Sequence, residues 1–194
     1  NMKGADSSLN KLENSLIYIE RTLPDGKIRR GIVGKMDLEE YDFTPESASG
    51  IRATEKTVIE RIPPRVAVRQ SATVEFPHIM VFANDKDSRF IEKLADKKEK
   101  FKKVYSFELM LGGGRLEGWQ IEGEALEALM AQIEEYEKNS DGVIYAVGDG
   151  NHSLATAKAV WDEYKKQLIE KGASEQELKE NSVIVNGKTY SIPE

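Results

Sequence analysis

The rhythm of apolar and polar positions changes several times along the chain, and each change predicts an element. Leu16-Ile17-Tyr18-Ile19-Glu20-Arg21 and Ile28-Arg29-Arg30-Gly31-Ile32-Val33 flank Leu23-Pro24-Asp25-Gly26-Lys27. Proline presets φ there and glycine accepts a positive φ, so the Pro-Asp-Gly core is a turn and the pair is a hairpin. Residues 104–110 and 116–121 predict a second hairpin around Gly112-Gly113-Gly114-Arg115. Residues 77–83 read as a buried strand, with Asp87 as N-cap of a helix from Ser88 to about Phe101. Leu126, Leu129, Met130, Ile133 and Tyr136 recur at helical spacing. So do Leu154, Ala157, Trp161, Tyr164 and Leu168, in a helix that begins near Ser153 and ends at Gly172. Ser174 and Glu177 propose a capping box, and residues 183–192 a last hairpin on the Asn186-Gly187 turn. Between these, residues 37–50 read as an irregular loop in which Thr44-Pro45-Glu46-Ser47 caps one short turn. Thr57 and Glu60 have capping-box spacing for a brief helix that Pro63-Pro64 stops.

Hairpins and helices are mixed rather than strictly alternating, which predicts an α+β fold: a mixed sheet with hairpins and packed helices, not a doubly wound parallel sheet. Residues 1–14 are polar and read as a flexible segment, followed by a single domain over 15–194. At 194 residues the chain is long enough for one sizeable core. No apolar stretch approaches the roughly 18 residues that span a bilayer, and the first residues lack the apolar centre of a signal peptide. The absence of cysteine excludes disulfides, thiolate metal sites and cysteine nucleophiles. The expectation is a cytoplasmic protein without a membrane partner. A net charge of −6 argues against broad nucleic-acid binding, because a phosphate backbone selects a basic surface.

The chemistry concentrates where the apolar run of residues 142–147 meets Gly148-Asp149-Gly150-Asn151-His152-Ser153 and a helical pattern begins. Glycines let the chain turn sharply there, and the free N–H groups of the new helix attract anions. Asp149 adds a metal ligand or proton acceptor, His152 a group able to hydrogen-bond a phosphoryl oxygen or substrate, and Ser153 a hydroxyl and an amide. The bland alternative is a strand-to-helix turn capped by Asp149 or Asn151. With only two histidines, His78 and His152, and no cysteine, zinc is disfavoured, so the metal expected at Asp149 is Mg²⁺.

A second cluster spans Arg52-Ala53-Thr54-Glu55-Lys56-Thr57 and Arg61-Ile62-Pro63-Pro64-Arg65. Here Arg52 and Arg65 could clamp an anionic group while Glu55 serves as base or metal ligand, and Thr57 joins the ligand-binding set. A charged surface segment is the alternative. Gly112-Gly113-Gly114-Arg115 lacks the lysine and spacing of a P-loop. His78, Trp119 and Trp161 read as structural.

Residues 51–57, 61–65, 108–114 and 147–157 together resemble the bacterial family called domain of unknown function 1015, over roughly residues 16–172. That family is similar to free-serine kinases, which carry an Asp-Gly-His-His-Arg-like motif within the ParB/sulfiredoxin superfamily. Asp149, Gly150 and His152 stand in register with the motif, whereas Asn151 replaces its first histidine and Ser153 its arginine. The resemblance implies a ParB/sulfiredoxin-like fold and a fragment of a longer protein, in which Arg52 or Arg65 supplies the missing cation.

The residues and the resemblance lead to one expectation: a nucleotide- or phosphate-binding domain. It uses Mg²⁺ with ADP or ATP for phosphoryl transfer to a small hydroxyl compound such as free serine. Asp149, His152 and Glu55 would be catalytic, with Gly148, Gly150, Asn151, Ser153, Arg52, Thr57 and Arg65 around the ligand. A nucleotide hydrolase and a non-catalytic ligand-binding or interaction module are the rival readings.

Overall fold

A computed structural model describes residues 12–72, 79–174 and 178, and the backbone of 182–185 and 188–191. In chain order the elements are β1 (Leu16–Thr22), β2 (Ile28–Val33), β3 (Tyr41–Asp42), β4 (Ile51–Ala53), α1 (Ile62–Arg69), β5 (Met80–Ala83), α2 (Ile91–Ala95), β6 (Lys102–Glu108), β7 (Arg115–Ile121), α3 (Gly123–Lys138), β8 (Tyr145–Asp149), α4 (Asn151–Glu170), β9 (Ser182–Val185) and β10 (Lys188–Ser191). The fold is α+β. Strands segregate into a four-stranded antiparallel sheet ordered β2-β1-β7-β6, a four-stranded sheet ordered β3-β4-β8-β5 and the β9-β10 pair. In the second sheet β3, β4 and β8 run parallel. The chain divides into two compact units, residues 1–36 with 83–144, and residues 37–82 with 145–194. Among the described residues no helix is long and apolar enough to cross a membrane.

The first unit is built on the predicted hairpins. β1 pairs with β2 on one side and β7 on the other, and β7 pairs with β6. The two-residue period puts Tyr18 of β1 with Trp119 and Ile121 of β7 on one face, where Phe90, Leu94 and Leu129 close the core. Glu20 also points into this face and is 4% exposed. It accepts from Tyr18 Oη at 2.8 Å, Lys98 Nζ at 2.6 Å and Arg30 Nε at 3.4 Å. Burial alone would raise its pKa; the bonds from Lys98 and Tyr18 and the charges of Lys98 and Arg30 outweigh burial and hold the carboxyl below its usual range. At the β6–β7 turn Gly114 has φ +90°, and a Cβ there would lie 1.9 Å from the Thr22 carbonyl oxygen, which explains one glycine of the triplet.

Several sequence expectations need correction. The helix expected over 88–101 is only α2, followed by a 3-10 turn at Lys98–Lys100. Ser88 sits at φ +51°, outside the helical region, so the chain first folds over Asp85. That carboxylate accepts from the N–H groups of Arg89 (2.7 Å), Phe90 (3.3 Å) and Ile91 (3.4 Å). Asp87 instead binds the Arg89 guanidinium at 2.7 Å. Pro63 and Pro64 do not stop a helix but open α1, since the first turn needs no N–H from them. The 3-10 turn before α1 begins after Val58 without a side-chain cap, so Thr57 does not form the expected capping box. The 37–50 segment is not wholly irregular, because β3 pairs with β4 and Tyr41 is 1% exposed. Trp119 is core, whereas Trp161 is half-buried and donates its indole N–H to Glu39. The described part of the 77–83 strand is β5, whose Phe82 is half exposed. His78 and the Ser174–Glu177 box lie wholly or partly outside the described residues; β9 and β10 form the expected last hairpin.

Candidate functional site

The second unit carries the residues the sequence singles out. β8 extends two residues further than the apolar run, to Asp149, so Gly148 and Asp149 are strand rather than turn. The switch from strand to helix falls on one residue, Gly150, in the left-handed region at φ +84°. Only glycine takes that conformation without steric cost, which is why α4 can start at Asn151 directly behind the strand. Gly148 has a different reason. A Cβ there would meet the Phe82 ring at 1.9 Å, so this glycine makes room for a β5 side chain beside β8.

Asp149 is exposed, and its Oδ1 accepts the Gly150 N–H at 2.7 Å. At the start of α4 the first helical bond runs from the Leu154 N–H to the Gly150 carbonyl at 2.9 Å. The amides of Asn151, His152 and Ser153 thus form the helix's donor end, and a 20-residue helix adds its dipole to them.

The β4–α1 connection is brought onto this helix end. Thr54 donates its N–H to Asn151 Oδ1 at 3.2 Å and its hydroxyl to the Val147 carbonyl at 2.6 Å. Asn151 is 3% exposed, a buried amide whose oxygen holds the neighbouring loop. Val58 donates its N–H to His152 Nε2 at 3.1 Å, which makes the ring a neutral imidazole with its proton on Nδ1. That nitrogen lies 3.7 Å from Glu55 Oε1, beyond hydrogen-bond length. Thr57, between these contacts, is 4% exposed, and its hydroxyl has no partner among the described residues. From α1, Arg69 Nη1 donates to the Ser153 carbonyl at 2.8 Å and reaches Ser153 Oγ at 3.4 Å.

The structure therefore brings together Glu55, Asn151 and His152, with Asp149, Gly150 and Ser153 at the same helix start. Arg52 is committed elsewhere: its Nε donates to the Ser49 carbonyl at 2.6 Å. Arg65 is exposed on α1. The cation that does reach the loop is Arg69, one turn beyond Arg65. Reading Pro63-Pro64 as a helix start would have placed Arg65 and Arg69 on one face of α1. Among the described residues no group of three or more His, Asp or Glu side chains could hold a metal by itself. A separate cavity of about 270 Å³ belongs to the first unit, where Asp85, Lys86, Asp87, Arg89 and Asp141 contribute to its wall. None of the expected site residues lines it.

With fold and site in place, the comparisons give a class: the family described as Protein of unknown function (DUF1015) matches residues 5–186. The chain belongs to that family. No curated protein and no solved structure matches it.

Proposed function

We propose that the second unit binds a nucleotide or phosphorylated small molecule at the start of α4. The most concrete reaction is phosphoryl transfer from ATP or ADP to a small hydroxyl compound such as free serine. The carrying observation is the one-residue join at Gly150, which starts α4 directly after β8, so that the amides of residues 151–153 form its donor end with the exposed carboxylate of Asp149 beside them. Mg²⁺ typically takes one or two protein carboxylates and completes its shell with water and substrate phosphates, so a lone Asp149 suits it where a closed protein cage is lacking. The ion, when bound there, would neutralise phosphate charge. The amides of 151–153 would hold phosphate oxygens, and Arg69, with Arg65 on the same helix, would supply positive charge. Glu55 would take the proton of the acceptor hydroxyl as its oxygen forms a bond to the terminal phosphorus and the bond to the bridging oxygen breaks.

This reading aligns with the Asp-Gly-x-His register of free-serine kinases and with a ParB/sulfiredoxin-like lineage, and it treats the chain as part of a longer family protein. A thermal-shift screen of nucleotides with and without Mg²⁺ tests it. A ligand binding only the folded state at about a hundredfold over its Kd stabilises by about 2.7 kcal/mol. A shift that requires both nucleotide and Mg²⁺ supports the proposal. No shift with any nucleotide overturns it and leaves the interaction-module reading.

A further inference from the structure

We infer that His152 is a positioning residue: its ring latches the 54–58 loop to the first turn of α4. The loop is fastened at both ends by consecutive helix residues. Asn151 Oδ1 takes the Thr54 N–H at 3.2 Å, and His152 Nε2 takes the Val58 N–H at 3.1 Å. Between the two fastenings lie Glu55 and Lys56, both exposed, and the buried Thr57. Two of these three residues are exposed and have little packing to hold them, so their conformation depends strongly on the bonds at the ends of the span.

The imidazole is engaged through one nitrogen and faces the loop with the other. Nε2 is an acceptor to the Val58 backbone, and the protonated Nδ1 faces the Glu55 carboxylate at 3.7 Å. The Nε2 lone pair is committed to the Val58 N–H, and that bond sets where the end of the loop sits. The backbone that carries the ring is held from the helix side, because Thr156 Oγ1 donates to the His152 carbonyl at 2.7 Å and Arg69 Nη1 to the Ser153 carbonyl at 2.8 Å. The latch needs an acceptor at the end of a side chain, not a ring as such. Glutamine offers one through its amide oxygen; alanine offers none.

Backbone amide exchange followed by NMR on the full chain reads the latch without any ligand. Val58 is expected to exchange slowly in the wild type and in His152→Gln. In His152→Ala it should exchange about tenfold faster, the loss of one ordinary hydrogen bond. The amides of residues 155–168 in α4 should not change. If Val58 exchanges equally in wild type and His152→Ala, or if His152→Gln is as fast as His152→Ala, the inference fails.

Val58→Pro covers the case in which His152→Ala does not fold. Val58 has φ −79°, which proline adopts readily, so the substitution removes the donor and leaves the ring in place. The amides of residues 55–57 should then exchange faster, and adding His152→Ala should cause no further acceleration, since both changes delete one bond. Unchanged rates in Val58→Pro contradict the latch. Nitrogen shifts of the ring provide an independent signature: Nε2 must be the unprotonated nitrogen, and the opposite tautomer overturns the assignment.

The consequence for binding rests on the phosphate-site reading. Mg²⁺-nucleotide affinity should drop in His152→Ala and recover in His152→Gln. If the wild type binds no nucleotide, that reading fails while the exchange result still decides the latch.

Discussion

The two units use buried polar groups in opposite ways. In the first, Glu20 is a buried charge enclosed by an aromatic core and satisfied by Tyr18, Arg30 and Lys98. Its partners fasten the segment carrying Lys98 to the sheet, and Lys98 also stands 5.1 Å over the Trp119 ring. In the second, the buried polar residues Thr57, Asn151 and Thr156 gather at the start of α4 beside the buried Val147, Leu154 and Ala155, and Asn151 and Thr156 bond to backbone. The difference teaches where each unit puts its stability. A carboxylate locked inside a core is a structural device. A helix end held by hydrogen bonds between side chains and backbone, with an exposed carboxylate beside it, is a place where a ligand can compete for groups.

The contrast can be broken at graded cost. Leu129→Ala, at a residue 2% exposed in the first core, should lower stability by roughly 2–5 kcal/mol in urea denaturation. A loss below about 1 kcal/mol would mean the core is looser than its burial implies. Two glycines sharpen the comparison further. A Cβ at Gly114 or at Gly148 would approach another atom to 1.9 Å in either case, yet the obstacles differ. At Gly114 the obstacle is the Thr22 backbone and φ is positive, so Gly114→Ala should cost on the order of 3 kcal/mol. At Gly148 it is the edge of the half-exposed Phe82 ring, which can swing aside. Gly148→Ala should therefore cost under about 1 kcal/mol, and Phe82→Ala should remove even that. Equal losses at the two glycines would refute this account.

Glu20 gives the comparison a pH axis. Its folded pKa is lowered, so the stability it contributes is fully present above its unfolded value, near 4.3, and is lost as pH falls through the folded value. Urea midpoints of the wild type should decline as pH falls below the unfolded value, and Glu20→Gln should flatten that decline. At neutral pH the same substitution should cost roughly 1.5–3 kcal/mol, the range for hydrogen bonds to a charged group. An unchanged pH slope in Glu20→Gln would assign the acid sensitivity to other carboxylates, such as Glu39, which Lys165 and Trp161 hold low against its burial.

Much of this was legible in sequence where short-range chemistry decides. The Pro-Asp-Gly and triple-glycine hairpins, the apolar stripes of α3 and α4, and the glycine-bounded end of β8 all follow from local residue preferences. What escaped depends on backbone conformation and on long-range partners. Asp85 and Asp87 look equally good as caps, and only the left-handed Ser88 between them and α2 selects Asp85. Tyr41 reads as loop until β4 is present to pair with it. At the site, the meeting of Glu55 with His152 could be guessed from residue types, but Val58, a hydrophobic residue acting through its backbone N–H, left no signal in the pattern. Arg69 escapes a reading in which Pro63-Pro64 end a helix, because the two prolines open α1 and carry Arg69 along it.

The central claim is that the start of α4 is a phosphate site with Asp149 as its metal ligand. Asp149→Asn tests it most directly. Either side chain can accept the Gly150 N–H that Asp149 Oδ1 takes at 2.7 Å, so the turn should survive and the melting curve should stay within about 0.5 kcal/mol of wild type. Calorimetric titration with Mg²⁺-ATP and Mg²⁺-ADP should then show binding to the wild type and its loss in the variant. Equal affinity in both proteins, with both folded, would make Asp149 a structural cap and contradict the claim.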